Sequence, residues 1–141
     1  MQNKKNNNPP VIFEDGLRGR DFISVHDIAN ANILTLEKSR ADYEVFNVGA
    51  GRKISIGEIA DILIKLYKKS LKPQIPGTYR EGDIRHCYAD ISKISKLGFV
   101  PKIEFETGIR ELVGWVESQD ASNISDKFET ANEELRVRKL A

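Results

Sequence analysis

The 141-residue sequence is poor in the residues that most often build metal sites and covalent cross-links, with one cysteine and two histidines. One cysteine cannot form a disulfide within the chain, which favours a reducing compartment and predicts a cytoplasmic protein. His26 and His86 are far apart in sequence, and no cluster of cysteines or acids has metal-ligand spacing. The sequence therefore predicts no metal site.

Long apolar runs and an excess of one charge are also missing. No segment approaches the roughly 20 apolar residues of a membrane span, and the first ten residues lack the apolar region of a signal peptide. Lys and Arg total 22 and Asp and Glu total 21, so the chain has no basic field for nucleic acid or an anionic membrane. The 40% of apolar residues is enough for a hydrophobic core.

Strand-like and helix-like patterns alternate along the chain and predict an α/β fold. Strands are predicted at 11–13, 20–24 and 43–49, with a shorter one at 72–75. Helices are predicted at about 25–39, 55–69, 91–97 and 106–118. We expect a flexible arm at 1–10, one domain at 11–118 and a polar helical tail at 119–141.

The two best-defined predicted helices each begin at a capping box. Ser24 and Asp27 have the S-x-x-D pattern, and Ser55 and Glu58 have S-x-x-E, so each serine is expected to pair with the acid three residues on. Apolar residues recur along the first of these helices at the spacing of one face. They are Val25, Ile28, Ala29, Ile33 and Leu36.

Two motifs resemble functional signatures but do not satisfy them. Gly49-x-Gly51 follows a predicted strand, yet the next glycine, Gly57, comes six residues later instead of three, so the dinucleotide-binding fingerprint is not met. A plain turn between strand and helix is favoured. Cys87 has no evident paired base, which favours a buried or pocket-wall thiol over a nucleophile.

The arginines carry more information, because a guanidinium group binds phosphate through a planar fork of donors. Four of them lie in loops or at strand ends, away from solvated helix faces. They are Arg18, Arg20, Arg80 and Arg85. The alternative is structural ion pairing, Arg20 with Asp21 or Arg80 with Glu81, and the residues alone leave both interpretations open.

Four segments, taken in order, resemble a known family. They are "PPVIFEDGLRGRDFISVHDIANA", "VFNVGAGRKISIGEIA", "YREGDIRHCYADISKISKLGFVP" and "FETGIRELVGW". Together they resemble the C-terminal, substrate-binding half of extended short-chain dehydrogenases/reductases, the NAD-dependent nucleotide-sugar epimerases and dehydratases of UDP-galactose 4-epimerase type. The tail, "NISDKFETANEELRVRKL", is similar to dTDP-L-rhamnose 4-epimerase-like members.

The resemblance implies a nucleotide-sugar site. Arg20 and Arg80 match the two arginines that clamp the diphosphate, and Asp83 matches the acid that holds the ribose. Cys87 falls on the wall of the sugar pocket, where a small side chain implies a roomy subsite. The remaining implied contacts are Val11, Ile12 and Phe13 along the nucleobase and Phe22 near the ribose.

The family also has parts that this sequence does not contain. No tyrosine is followed by a lysine four residues on, and no G-x-x-G-x-x-G fingerprint is present, so the resemblance implies a chain that is inactive alone and whose parent enzyme binds NAD through another half. In the family, the helix at 25–39 and the strand at 43–48 pack on that half. Their apolar faces are therefore expected to be exposed, with self-association, marginal stability or a separate partner chain as the consequence.

Several functional alternatives stay open at this point. A UDP- or dTDP-sugar 4-epimerase is favoured over a 4,6-dehydratase or a 4-reductase. A non-catalytic remnant, which binds nucleotide sugars or only a protein partner, is the competing class.

Overall fold

The computed structural model describes residues 9–79, 82–119 and 128–138, and these residues form an α/β fold, as the sequence predicts. Three short strands, β1 (Gly19–Arg20), β2 (Ile54–Ser55) and β3 (His86–Cys87), form a sheet of order β2-β1-β3. The helices are α1 (Val25–Glu37), α2 (Ile56–Leu66), α3 (Ser92–Ser95), α4 (Phe105–Ser118) and α5 (Phe128–Val137), with a 3-10 turn at Ser39–Ala41. None of the helices in the described ranges is long and apolar enough to cross a membrane.

The chain divides into two compact units. The first contains Met1–Arg18, Ser55–Arg85 and Glu117–Ala141, and the second contains Gly19–Ile54 and His86–Val116. The predicted arm at 1–10 lies almost entirely outside the described residues, and the boundaries at 10 and 118 stay predictions.

In the first unit, helix α2 begins at the predicted capping box. The Ser55 hydroxyl oxygen accepts the Glu58 N–H at 3.1 Å, and the Glu58 carboxylate accepts the Ser55 N–H at 2.8 Å. Two backbone donors that the helix cannot satisfy internally are thus paired. The box is confirmed, and the helix ends at Leu66, three residues before the predicted end.

The two strands predicted in this unit, at 11–13 and 72–75, are reduced to one parallel bridge between Val11 and Gln74. The Ile12 N–H donates to the Gln74 carbonyl at 2.8 Å, and the Gln74 N–H donates to the Pro10 carbonyl at 2.8 Å. Glu14 adopts a φ of 57°, a left-handed conformation that a strand cannot contain. The backbone therefore leaves the extended region directly after Phe13.

The core of the second unit lies between α1 and the segment 91–99. Ala31, Ile94 and Phe99 are its fully buried members. Half-buried apolar side chains surround them, namely Ile23, Leu34, Phe46, Val48 and Ile91. Helix α4 agrees with its prediction to within one residue, whereas α3 is shorter than the predicted 91–97, and Gly98, with a φ of 105°, follows it.

The capping box predicted at the start of α1 is wrong. Ser24 caps the helix, but its hydroxyl accepts the His26 N–H at 3.2 Å. Asp27 instead turns inward, is fully buried, and accepts the backbone N–H groups of Lys102 at 3.1 Å and Ile103 at 3.0 Å. A buried carboxylate is stable only when its oxygens accept hydrogen bonds, and these backbone donors supply them to Asp27.

The strand predicted at 43–49 is also wrong, since the structure assigns no strand there. Burial nevertheless alternates along it, with Phe46 and Val48 half-buried and Tyr43 and Val45 exposed. Such alternation has the period of a strand that lacks a ladder partner within the described residues. On α1, the predicted apolar stripe is largely exposed, with Leu36 at 87%. The expectation of exposed apolar faces on these two segments is confirmed.

Candidate functional site

The site begins at the ladder between β1 and β3, where two predicted site residues meet. The strands are parallel, and Arg20 pairs with Cys87 although 66 other residues separate them in sequence. Paired residues of a ladder present their side chains on the same face of the sheet. The predicted diphosphate ligand and the predicted sugar-pocket residue are therefore neighbours in the second unit. Arg20 donates from Nη1 to the Gly19 carbonyl at 2.9 Å, and Cys87 is exposed, so a buried thiol is excluded.

Asp21 fixes the end of this ladder. Its carboxylate accepts three backbone N–H groups, from Ala50 at 2.8 Å, from Gly51 at 3.2 Å and from Ala89 at 3.1 Å. Its own N–H donates to the Cys87 carbonyl at 3.1 Å. A carboxylate with three amide donors is strongly held, so Asp21 sets the backbone on which Arg20 and Cys87 stand. The sequence suggested Asp21 only as an ion-pair partner of Arg20, and adjacency in sequence could not reveal these distant amides.

The same contacts show why the Gly49-x-Gly51 loop does not fit a dinucleotide. A phosphate-binding glycine loop offers free backbone N–H groups to the ligand, but here the N–H groups of Ala50 and Gly51 are bonded to Asp21. A Cβ on Gly49 would lie 2.5 Å from Asp21 Oδ2 and 2.7 Å from Ala89 Cβ. The space beside this glycine is filled by protein, as the preferred interpretation of a plain turn requires.

Phe22 lies on the wall of an apolar pocket in the second unit, with a volume of about 400 Å³. Its ring packs edge-on against Phe105 at a centroid distance of 5.5 Å and an interplanar angle of 61°. Further apolar lining comes from the start of α1 and one side of α4, including Val25, Ile109, Leu112 and Trp115. The helical spacing of Ile109 and Leu112 was the sequence signal for this pocket wall. Spacing alone, however, cannot distinguish a side chain that lines a pocket from one that lies in a core.

The predicted nucleobase segment belongs to the first unit. Ile12 is 3% exposed, while Val11 and Phe13 are half-buried. A base lying along this segment would therefore meet the side chains of Val11 and Phe13 and the backbone of Ile12.

Two of the four arginines form a network with acids of the first unit. Arg18 is 7% exposed and binds Asp83 through Nη1 and Glu14 through Nη2. Arg85 donates to Glu14 at 2.8 Å and to both oxygens of Asp15 at 2.9 Å and 2.6 Å. Structural ion pairing is thus real for these two arginines, with partners that sequence adjacency did not suggest. Arg80 and Glu81 lie outside the described residues.

The network lowers the pKa values of two of its carboxyl groups. The hydrogen bond from Arg85, followed by that from the Leu17 N–H, lowers the pKa of Asp15 from 3.8 to about 2. The hydrogen bond from Arg18 likewise lowers the pKa of Glu14. These groups are charged at neutral pH, so the network holds fixed positive and negative charge in place.

Elsewhere in the second unit, His26 Nε2 donates a hydrogen bond of 2.8 Å to the Glu111 carboxylate, which raises the pKa of the imidazole. Across the described part of the chain, no three of the metal-ligating side chains His, Cys, Asp and Glu are close enough together to hold a metal ion.

Comparison with known proteins identifies the family. A family profile described as GDP-mannose 4,6 dehydratase matches residues 1–112. The dTDP-L-rhamnose 4-epimerase of Burkholderia thailandensis is 37% identical over 106 residues, which is 74% of this chain and 29% of that protein.

Solved structures agree with the sequence matches. The UDP-glucose 4-epimerase of Thermotoga maritima, solved with UDP-glucose, has a TM-score of 0.73 and 31% identity over 82% of this chain and 37% of its own. The UDP-N-acetylglucosamine 4-epimerase of Methanobrevibacter ruminantium, solved with UDP-N-acetylmuramic acid, has a TM-score of 0.72 and 39% identity over the same shares. The chain spans about a third of the length of the relatives it matches.

These matches define the class as extended short-chain dehydrogenases/reductases. Within that class, the chain belongs to the family of NAD-dependent nucleotide-sugar epimerases and dehydratases, as its four sequence segments predict.

Proposed function

We propose that this chain binds the nucleoside-diphosphate part of a UDP- or dTDP-sugar, as the substrate-binding half of an NAD-dependent sugar 4-epimerase. Arg20 and Arg80 would clamp the diphosphate, and Asp83 would accept a hydrogen bond from the ribose. Cys87 would line the sugar subsite. The other contacts would be Val11, Ile12 and Phe13 along the base and Phe22 near the ribose.

The observation that carries the proposal is the pairing of Arg20 with Cys87 on one face of the β1–β3 ladder. In the bound state, a diphosphate and the sugar attached to it are directly bonded, so their protein contacts must be close together. The ladder places Arg20, which the resemblance matches to the diphosphate, beside Cys87, which the resemblance matches to the sugar pocket. The 4-epimerases among the relatives support the choice of reaction.

Catalysis would need groups from outside this chain. A 4-epimerase must take a proton from a sugar hydroxyl while NAD takes the hydride. Relatives bind NAD, but the Gly49-x-Gly51 loop does not fit it, and no tyrosine has the lysine spacing of the family. We therefore propose that these 141 residues are inactive alone and act in the cytoplasm with a Rossmann half, carried either by the same longer polypeptide or by a separate chain.

The exposed apolar side chains of the second unit support a partner surface. Val25, Ile33 and Leu36 on α1, together with Tyr43 and Val45, are all more than half exposed. Leaving so many large apolar groups in water is costly. A partner chain, or self-association in its absence, would cover them.

Calorimetric titration of the 141-residue chain with UDP, dTDP, UDP-glucose and UDP-N-acetylglucosamine tests the binding proposal. Because a charge-assisted bond to phosphate is lost, Arg20→Ala and Arg80→Ala are each expected to weaken binding about tenfold or more. Arg40→Ala, at an exposed position in the 3-10 turn, is the matched control and should bind normally.

The roomy sugar subsite predicts that UDP-N-acetylglucosamine binds at least as well as UDP-glucose, and that Cys87→Tyr weakens only the former. If the unaltered chain binds none of these nucleotides at millimolar concentration, the interaction-module alternative replaces the proposal. If the nucleotides bind and neither Arg20→Ala nor Arg80→Ala weakens binding, these arginines do not hold the diphosphate.

A further inference from the structure

Arg18 is an unusual residue to bury in a loop. The residue is 7% exposed, and a buried charge lowers stability unless its hydrogen bonds are satisfied. Two of its nitrogens bind carboxylates, Nη1 with Asp83 and Nη2 with Glu14. The Nε–H is buried and has no hydrogen-bond partner among the described residues.

Asp83, in contrast, is anchored on one side and open on the other. Its bond to Arg18 uses Oδ2, and its side chain is still 37% exposed. A carboxylate has about four lone-pair sites, so it can accept a ligand hydroxyl while it is bound to an arginine. At the preceding residue, Gly82, φ is 78° and, chain neighbours aside, no atom of the described residues lies within 4 Å of the position that a Cβ would occupy. There is open space beside the anchored acid.

On the side away from Asp83, the Arg18 guanidinium group is held through Nη2 by Glu14. Glu14 binds both Arg18 and Arg85, and Arg85 binds both oxygens of Asp15. The Arg18 carbonyl accepts the Ile56 N–H at 2.9 Å, at the first residue of α2. Arg18 is thus tied through its backbone and its guanidinium group, and it presents Nη1 to Asp83 from a fixed position.

We propose that Arg18 is a positioning residue for nucleotide recognition, which holds the Asp83 carboxylate oriented to accept a ribose hydroxyl. The inference rests on the proposed function, because Asp83 must face the ribose for Arg18 to matter. Pre-orientation of the acceptor removes the entropic cost of ordering Asp83 when the nucleotide binds. Arg18 would therefore affect ribose recognition without touching the ligand.

The test compares the dissociation constants of UDP, 2′-deoxy-UDP and 3′-deoxy-UDP for the 141-residue chain. The ratio of each deoxy constant to the UDP constant measures what the hydroxyl contributes. The unaltered chain is expected to show a ratio of about ten or more for at least one hydroxyl, because the lost bond is to a charged acceptor. Asp83→Asn should reduce that ratio to about three or less.

Arg18→Met keeps most of the buried stem and removes the guanidinium group. If Arg18 positions Asp83, this variant also reduces the ratio to about three or less, and the double variant with Asp83→Asn reduces it no further. Arg40→Met is the control, because Arg40 is exposed in the 3-10 turn and is not among the residues that hold Arg18. It should keep the ratio of the unaltered chain.

A purely structural Arg18 would give a different result. Arg18→Met would then weaken all three nucleotides by the same factor and leave the ratio unchanged, which overturns the inference. A ratio near one in the unaltered chain also overturns it, while UDP binding itself would leave the proposed function standing. If the unaltered chain does not bind UDP, both the inference about Arg18 and the proposed function are contradicted.

The Arg18→Met variant is first checked by its thermal unfolding. If it does not fold, Arg18→Lys takes its place, because lysine keeps the charge but has no fork to bind two carboxylates at once. That variant should reduce the ratio at least twofold, and an unchanged ratio would overturn the inference.

Discussion

The Asp27 carboxylate accepts the backbone N–H of Ile103 at 3.0 Å, across 75 intervening residues. The same carboxylate accepts the Lys102 N–H at 3.1 Å through both oxygens. Helix α1 and the loop that leads to α4 are thereby joined through one fully buried acid. This contact organises the second unit, on which Arg20, Phe22 and Cys87 lie.

Replacement of this buried acid should be strongly destabilising. Asp27→Asn puts an amide NH₂ group toward backbone donors and removes the charge from the hydrogen bonds, so we expect a loss of about 3 kcal/mol in the free energy of unfolding. Urea unfolding followed by circular dichroism measures it. Asp61→Asn, on an exposed position of α2, is the control and should change stability by less than about 0.5 kcal/mol. Equal effects of the two substitutions would show that Asp27 is not a structural link.

Two glycine substitutions should have opposite effects. In Gly49→Ala the new methyl group would lie 2.5 Å from Asp21 Oδ2, so the Asp21 contacts must shift, at a cost of about 1–3 kcal/mol. In Gly114→Ala, within α4, no atom of the described residues outside the helix's own backbone lies within 4 Å of the new methyl group, and better helix propensity should add about 0.5–1 kcal/mol. Thermal unfolding of both variants gives the comparison. A stable Gly49→Ala protein would mean that the Asp21 loop is not tightly packed.

The pair of His26 and Glu111 predicts a pH effect on stability. The hydrogen bond that His26 donates to the Glu111 carboxylate raises the pKa of His26 above 6.5. A raised pKa in the folded state stabilises the protein fully below pH 6.5, and that contribution is lost as pH rises through the raised value. NMR titration of the imidazole should show a lower pKa in Glu111→Gln, while Glu106→Gln, on the same helix, leaves it nearly unchanged. No change in Glu111→Gln would contradict the contact.

The pair of Asp15 and Arg85 predicts a pH dependence of stability in the opposite direction. The pKa of Asp15 is lowered from 3.8 to about 2, chiefly by the Arg85 hydrogen bond. Its contribution to stability is therefore present above about pH 3.8 and is lost as pH falls through about 2. In Arg85→Met, NMR titration of the carboxyl carbon should find the Asp15 pKa closer to 3.8. Arg40→Met should leave it unchanged, and an unshifted value in Arg85→Met would refute the pairing.

The exposed face of α1 predicts concentration-dependent association of the isolated chain. Leu36 is 87% exposed and Ile33 is 52% exposed, so burying them against a second copy removes apolar surface from water. The double variant Ile33→Lys/Leu36→Lys should shift sedimentation velocity profiles toward the monomer. Asn32→Lys, an exposed polar position on the same helix, adds charge without removing an apolar group. If it dissociates the protein equally, net charge and not the apolar face is responsible.

Local sequence signals were sufficient where the relevant contacts are local. The capping box of Ser55 and Glu58 and the bounds of α4 follow from residues within one or two helical turns. The family followed from four motifs in order, whose spacing is a property of the sequence. The prediction of a strand at 43–49 was wrong because its apolar residues predict burial but do not indicate which other segment covers them.

The sequence by itself determined the fold class, the main helices, the family and a set of candidate ligand residues, because periodicity, capping and motif order depend on neighbouring positions. Only the tertiary structure decided that Arg20 lies beside Cys87, that Asp27 turns inward to Lys102 and Ile103, and that Arg18 binds Asp83. These pairings join residues that are 65 to 76 positions apart. Charged side chains choose such partners by burial and by the need of distant donors, which no local pattern in the chain records.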